Sequence, residues 1–580
     1  PYNTLSVRLR PCIQLQFQVL DMLLELLLLC GISLALAARG HRIAFGSCNE
    51  AERVGIWNVI EDAKPESLLL LGDNVYVDYK TIFGPKQPWA ELVYGSKFEG
   101  GREQEFAYHY SLMKNDAKWK SLVQSLGGMQ SGNVMATWDD HDYGIDDGDR
   151  SFENRHVSKK YFQDFMEIPL DSPQRLRSGV YNSQYFTINK QENNENTFTY
   201  KVIMLDGRFN KSPDSNRKVR KGLFNTQEPS SEESAETKTE TVGLEEGDFL
   251  GEEQWLWLEQ ELLQHDRQVD MILIGSGIQV LPLDKVIEEY WFAFPKARRR
   301  LLNLVRYTQR NVVPNVFILS GDVHIAEILK SYWDCEGHSA KYKEVEREWI
   351  HEFTSSGMSH TFVKRTPEKD KSELPPRPSR PGDTPEDMGE EAASRNDHAG
   401  QLVELSRGSV YEHLYGMYVA TGPNRAREQP YGHHYKGLHY GMLTLLSGSG
   451  SGSGEGEGEM VIEILNYRNE PMITVKVPLQ EPYPFQNSIH RGLDVLPTTL
   501  QGWDEMYDHC DIVPVRGHTS QWRITLFKKV LTVYPVALVG LALLVLVLVL
   551  ATLVSLLREV YGFFVASPQR ASKKMKNKTL

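Results

Sequence analysis

SLLLLGDNVYVD, residues 67–78, decides the fold. Its four consecutive leucines read as a strand buried on both faces, because a half-exposed strand would alternate with polar residues. Gly72 closes the run, and Asp73, Asn74 and Tyr76 follow at its carboxyl end. Similar short apolar runs lie at 42–46, 134–138, 199–205, 271–275, 316–319 and 351–354. Between them, 51–60, 105–126, 153–166, 252–264 and 297–307 carry helical patterns. Buried strands flanked by helices imply a layered α/β domain, whose chemistry gathers at the carboxyl ends of strands. In 252–264, Trp255, Leu258 and Leu262 share one helical face, with Leu256 and Leu263 alongside, and read as core packing. Further on, 441–446, 460–466 and 472–477 read as antiparallel strands around the Ser-Gly and Glu-Gly tract 447–459.

The domain is expected over 41–515, interrupted by segments that cannot bury enough apolar area to offset their ordering entropy. One is 227–248, with eight acidic residues against one lysine; another is 365–396, rich in Pro, Glu, Ser and Arg. The chain has 580 residues, of which 41% are hydrophobic and 10% aromatic, enough for a large core. Its net charge of −13 argues against a nucleic-acid partner, and no nucleic-acid-binding surface is evident. Residues 1–40 read as a signal-peptide-like segment, with the apolar run 23–38 ending in small residues; Glu25 keeps a buried helix open. The stretch 530–557 has no charged residue over 28 positions and reads as one transmembrane helix, followed by a basic cytosolic tail at 558–580. That topology places the body of the chain outside the cytosol, extracellular or lumenal. Of five cysteines, Cys12 and Cys30 would leave with the signal; if Cys48 has chemical work, Cys335 and Cys510 could form a disulfide.

Four strand ends carry metal- or phosphate-seeking side chains: Cys48 and Asn49, then Asp73, Asn74 and Tyr76, then the 139–146 acidic segment with His141, then Asp322 and His324. Singly, each has an ordinary reading. A buried cysteine is a small hydrophobe, Gly-Asp-Asn is a turn, and an acidic loop is solvated or binds calcium. Arg208 could be a surface ion pair, and His433, His434 and His439 read as structural because no strand end accompanies them. Together the four ends are expected to meet at one edge of one sheet, where carboxylates, imidazole, thiol and phenol would hold two metals. Such a pair, roughly 3.5–4 Å apart, would activate a shared water and clamp a phosphate for in-line attack.

Gly72-Asp73-Asn74-Val75-Tyr76, Trp138-Asp139-Asp140-His141-Asp142 and Gly321-Asp322-Val323-His324, in that order, resemble the alkaline phosphatase D (PhoD-like) family of calcineurin-like metallophosphoesterases. Phe45-Gly46-Ser47-Cys48, Leu205-Asp206-Gly207-Arg208 and the helix opening at Glu252 also match, so the resemblance spans about 41–480. It implies a four-layer α/β/β/α sandwich, here with the C-terminal transmembrane helix added. It implies iron ligands at Cys48, Asp73, Tyr76 and His324, with Asp73 bridging to a second metal, often calcium, that Asp322 also binds. Asp140 or Asp146 would add a ligand, since many relatives have Asn where Asp146 stands. His141 would face the phosphate, and Asn74 and Arg208 would contact it. The expected cofactor is therefore a dinuclear centre of Fe3+ with Ca2+ or another divalent metal. The expected activity is hydrolysis of phosphate monoesters, diesters or both; the alternative is a non-catalytic ectodomain that kept the fold.

Overall fold

Strand residues 43–46 and 68–71 alternate between two cores, and that alternation defines the layers. In the computed structural model, which describes residues 40–50, 56–78, 101–189, 197–213, 247–282, 289–335, 348–359, 361, 434–435, 437–446, 458–483, 510–514 and 552, Ile43, Phe45, Leu69 and Leu71 point into a middle core shared with a second sheet. Ala44, Leu68 and Leu70 point the other way, onto helices. The strand run is leucine-only because neither of its faces meets water. Of the two compact units, Pro1–Gly517 contains every element named below, and Thr552 is the described residue of His518–Leu580.

In chain order the strands are β1 (His41–Gly46), β2 (Ser67–Leu71), β3 (Val134–Thr137), β4 (Asn182–Asn189), β5 (Thr197–Met204), β6 (Met271–Ser276), β7 (Val316–Ser320), β8 (Ala326–Cys335), β9 (Trp349–Ser355), β10 (His434–Tyr435), β11 (His439–Leu446), β12 (Glu459–Asn466), β13 (Pro471–Pro478) and β14 (Cys510–Pro514). The helices are α1 (Trp57–Asp62), α2 (Glu103–Asn115), α3 (Ala117–Ser125), α4 (Asp140–Tyr143), α5 (Arg155–Phe165), α6 (Glu252–Leu263) and α7 (Pro295–Asn311). One sheet runs β13-β12-β11-β1-β2-β3, with β1, β2 and β3 parallel. The other runs β10-β8-β9-β7-β6-β5-β4, with β14 also paired to β8 and with β5, β6, β7 and β9 parallel. Trp57, Phe106, Tyr110, Trp119 and Phe162 cover the outside of the first sheet. Trp255, Leu258, Leu262, Leu301 and Val305 cover the outside of the second. The layers are thus α/β/β/α.

Several expectations need correction. No helix among the described residues is long and apolar enough to cross a membrane. Among the described residues the fold is therefore an α/β sandwich with no spanning helix, against the expected C-terminal one, and 530–557 lies outside those residues apart from Thr552. The signal-like segment 1–40 apart from Gly40, the tail 558–580 and most of the three inserts also lie outside them. The single helix expected over 105–126 is two, because Asp116 leaves helical geometry and its carboxylate accepts the backbone N–H groups of Lys118 and Trp119, each at 2.8 Å. That is an N-cap, which starts a new helix. In α6, Trp255, Leu258, Leu262 and Leu263 are buried as expected, while Leu256 is exposed.

Candidate metal centre

The four motif-bearing strand ends do meet, but not along one sheet. Cys48, Asp73 and the 139–142 segment follow β1, β2 and β3 of the first sheet; Asp322 and His324 follow β7 of the second. The cluster lies where the carboxyl ends of the two facing sheets converge. Ser47 bridges Ser356 beyond β9, and Ser47 N–H donates to Ser355 O at 3.0 Å. Gly321 is needed at this seam, since a Cβ there would run into Ser47 Oγ and into Leu71 O.

Turning the chain sharply at each strand end puts non-glycine residues in left-handed backbone geometry. Cys48, Asp73, Asp322 and His324 have φ of 61°, 51°, 71° and 52°. Such values are uncommon outside glycine and collect at functional sites. Four of the five expected ligands outside the 139–146 segment share this feature, Tyr76 being the exception.

Three ligand-atom groups share Asp73: Cys48, Asp73 and His324; Asp73, Asp140 and His141; and Asp73, Asp139, Asp140 and Asp322, with atoms in each group within 4.8 Å of one another. Cys48 Sγ lies 3.4 Å from Asp73 Oδ2 and 2.9 Å from Ser356 Oγ. Tyr76 OH donates to Asp73 Oδ2 at 3.3 Å and lies 3.4 Å from His324 Nε2. Asp73 is thus placed between the thiol–phenol–imidazole set and the carboxylate set. Asp146 groups instead with Asp140 and Asp147, away from Asp73. Asp140 is therefore the one of the two that faces the cluster.

His141 lies beside the carboxylates, buried, with its ring stacked on Tyr76 at 4.2 Å between centroids. Its Nδ1 is 2.9 and 3.1 Å from the two carboxylate oxygens of Asp78. Asn74 and Arg208 do not face the cluster as phosphate contacts would. The Asn74 side-chain amide donates to Thr137 O at 2.9 Å and to Asp142 Oδ2 at 2.5 Å. Arg208, 1% exposed, donates from Nε to Asp139 Oδ1 at 2.5 Å and from Nη1 to Glu289, which Lys211 also grips. Its Nη2 stands 3.9 Å from Asp140 Oδ1. Arg208 therefore braces Asp139 and Asp140 from behind.

The electrostatics favour bound cations. Two unit charges 4.8 Å apart repel by about 3–4 kcal/mol at an effective dielectric of 20. Burial, with repulsion from Asp140, Asp139 and Asp142, pushes Asp73 well above the carboxylate range, despite His141. Burial lifts Asp139 to about 6 against the pull of Arg208, and Asp142 to about 8 against the N–H groups of Asn74 and Asp139. Burial raises the Cys48 thiol strongly too, with Asp73 adding to the effect. Asp139 Oδ2 and Asp140 Oδ1 are buried with no hydrogen-bond partner. The thiol, phenol, imidazole and four carboxylates gathered here form a donor set that suits metal ions, whose charge would offset the burial of Asp73, Asp139 and Cys48.

Sequence reasoning overlooked Asp78, Ser356, Glu289 and Lys211. Asp78 could have been noticed, because it closes the same motif that supplies Asp73 and Tyr76. Ser356 Oγ accepts the N–H of His324 at 2.8 Å, a contact that no local pattern announces.

Residues 197–405 match the family model described as PhoD-like phosphatase. The matched segment includes Arg208, Asp322 and His324; Cys48, Asp73 and Tyr76 precede it. No curated protein matches the chain. A solved structure described as "Structure of PhoD" is similar at 13% identity and a TM-score of 0.39, covering 76% of this chain and 72% of its own, a likeness too weak to decide fold or function.

Proposed function

We propose that this member of the PhoD-like phosphatase family is a metal-dependent hydrolase of phosphate esters, monoesters, diesters or both, with two cations held around Asp73. The observation that carries the reading is that Asp73 belongs both to the group with Cys48 and His324 and to the group with Asp139, Asp140 and Asp322, the ligand atoms of each lying within 4.8 Å of one another. Cys48, Tyr76 and His324 with Asp73 would hold the first cation, and their thiolate, phenolate and imidazole suit trivalent iron. Asp73, Asp140 and Asp322, with Asp139 beside them, would hold a second, hard divalent cation such as calcium. When bound, the cations supply Lewis-acid activation of a water and of the phosphoryl oxygens.

The chain's own residues do the rest. Asp78 fixes His141 in the tautomer that carries its proton on Nδ1 when neutral, so that Nε2 is the nitrogen for a substrate oxygen. Held there, His141 would bind the phosphoryl group or give a proton to the departing alkoxide. Arg208, tied to Asp139 and 3.9 Å from Asp140, keeps both carboxylates aimed at the cluster. Ser356 holds the His324 backbone in its left-handed turn.

The test uses the purified full chain with mono- and bis-nitrophenyl phosphate, before and after chelation and with each metal restored. Hydrolysis of at least one ester should vanish with the metals and return with them. Asp73→Asn keeps a residue that tolerates left-handed geometry and removes a buried carboxylate. It should fold at least as stably without metal. It should bind less metal by elemental analysis, and lose more activity than the roughly 10–100-fold that an outer partner costs. Undiminished turnover by chelated protein or by Asp73→Asn would overturn the reading.

A further inference from the structure

Away from the metal centre, strand register brings together two cysteines that the phosphoesterase reading does not use. β14 pairs antiparallel with β8, and the register runs Cys510 opposite Cys335, Asp511 opposite Asp334, Ile512 opposite Trp333, Val513 opposite Tyr332 and Pro514 opposite Ser331. Residues directly opposite in an antiparallel ladder have Cα atoms about 4.5–5.5 Å apart. A disulfide needs about 4.4–6.8 Å. A shift of one residue in this pairing would separate the two cysteines, so the register is itself the evidence. We propose that Cys335 and Cys510 are joined by a disulfide that fastens β14 to β8.

The placement gives that bond mechanical meaning. β14 is five residues long and pairs with β8 alone among the described strands. β8 is held on its other side by β9, through Ala326 to Tyr332, and it begins two residues after His324. Short edge pairs are weak alone. The cross-link therefore ties the chain beyond β13 to the sheet that supplies the second half of the metal centre. Formation is thiol–disulfide exchange: the Cys335 and Cys510 thiols give up two protons and two electrons, and a disulfide oxidant such as glutathione disulfide is reduced to two thiols. Such a bond persists only in an oxidising compartment. Its presence would put the body of the chain there, whatever ester the site hydrolyses.

The experiment is a peptide map of the full chain, equilibrated with glutathione disulfide and alkylated before trypsin. Peptides 331–341 and 492–516 should appear as one linked species, lighter than their sum by two hydrogens, and separate on reduction. Cys335→Ser and Cys510→Ser should each expose one new alkylatable thiol, on the partner cysteine. Each should lower the midpoint of thermal unfolding while leaving turnover per bound metal unchanged. Both thiols remaining alkylatable after equilibration, a bond from either cysteine to Cys48, or a bond between two chains would overturn the proposal.

Discussion

Asp78 sets the orientation of His141. Its carboxylate is fully buried, reaches Nδ1 with both oxygens, and has burial rather than a second cation as its main perturbation. Asp78→Asn keeps the shape and one acceptor but loses the charge that holds the imidazole. Outer partners of this kind typically cost 10–100-fold when removed. The expected result is a fall in kcat of about that size, with metal content unchanged. The fall should be larger for alkyl phosphates than for nitrophenyl phosphate, because a poor leaving group depends more on a proton donor. An equal loss across leaving groups would reduce Asp78 to a packing role. Residues of this kind are half legible: Asp78 stands in a motif that is easily quoted, but only its distance from His141 gives it a duty.

At the scale of elements, the turns after β1, β2 and β7 matter more than the strands. Gly72, with φ of 97°, precedes Asp73 in the second of them, and a Cβ there would lie 2.6 Å from Asp139 Cβ. Gly72→Ala should cost roughly 2–4 kcal/mol, from left-handed strain plus overpacking. It should also push Asp139 away from Asp73, so that metal affinity falls together with the denaturation midpoint. An alanine variant with wild-type stability and metal content would refute this account of the turn. The strands 67–71 and 316–320 were readable because their apolar runs are unbroken. β8 was not, because Glu327, Lys330 and Asp334 interrupt it. Glu327 is nonetheless buried, accepting from Gln279 Nε2 at 3.1 Å, and a tertiary partner of that sort overrides local pattern.

Across the whole molecule, the two sheets are pinned together beside the cluster. Ser356, after β9, donates its backbone N–H to Nε2 of His439 on β11, at 3.1 Å, while His439 Nδ1 donates to Gly437 O at 2.7 Å. That pairing requires a neutral imidazole, and burial lowers His439 to about 4, with the Gly437 carbonyl pulling the other way. The unfolded chain binds this proton below about 6.5 and the folded one does not. Stability from His439 is therefore complete above pH 6.5 and is lost as pH falls toward 4, by at most about 3 kcal/mol. His439→Gln, which cannot titrate, should be slightly less stable at pH 7 by about 1 kcal/mol. Its denaturation midpoint should fall less than wild type between pH 6.5 and 4.5. A parallel fall in both proteins would show that other groups govern acid sensitivity.

The sequence by itself determined the layered α/β class, the position of most buried strands and which strand ends carry side chains able to bind metal. Those features follow from local causes: apolar runs, turn residues and side-chain chemistry at strand ends. Only the tertiary structure decided that the cluster joins two sheets and that Asp140, not Asp146, faces Asp73. It alone set Asn74 and Arg208 into the scaffold and brought Cys335 opposite Cys510. Each of these depends on which distant segments pack face to face, and that is settled by the summed burial of the three cores rather than by any one stretch of chain.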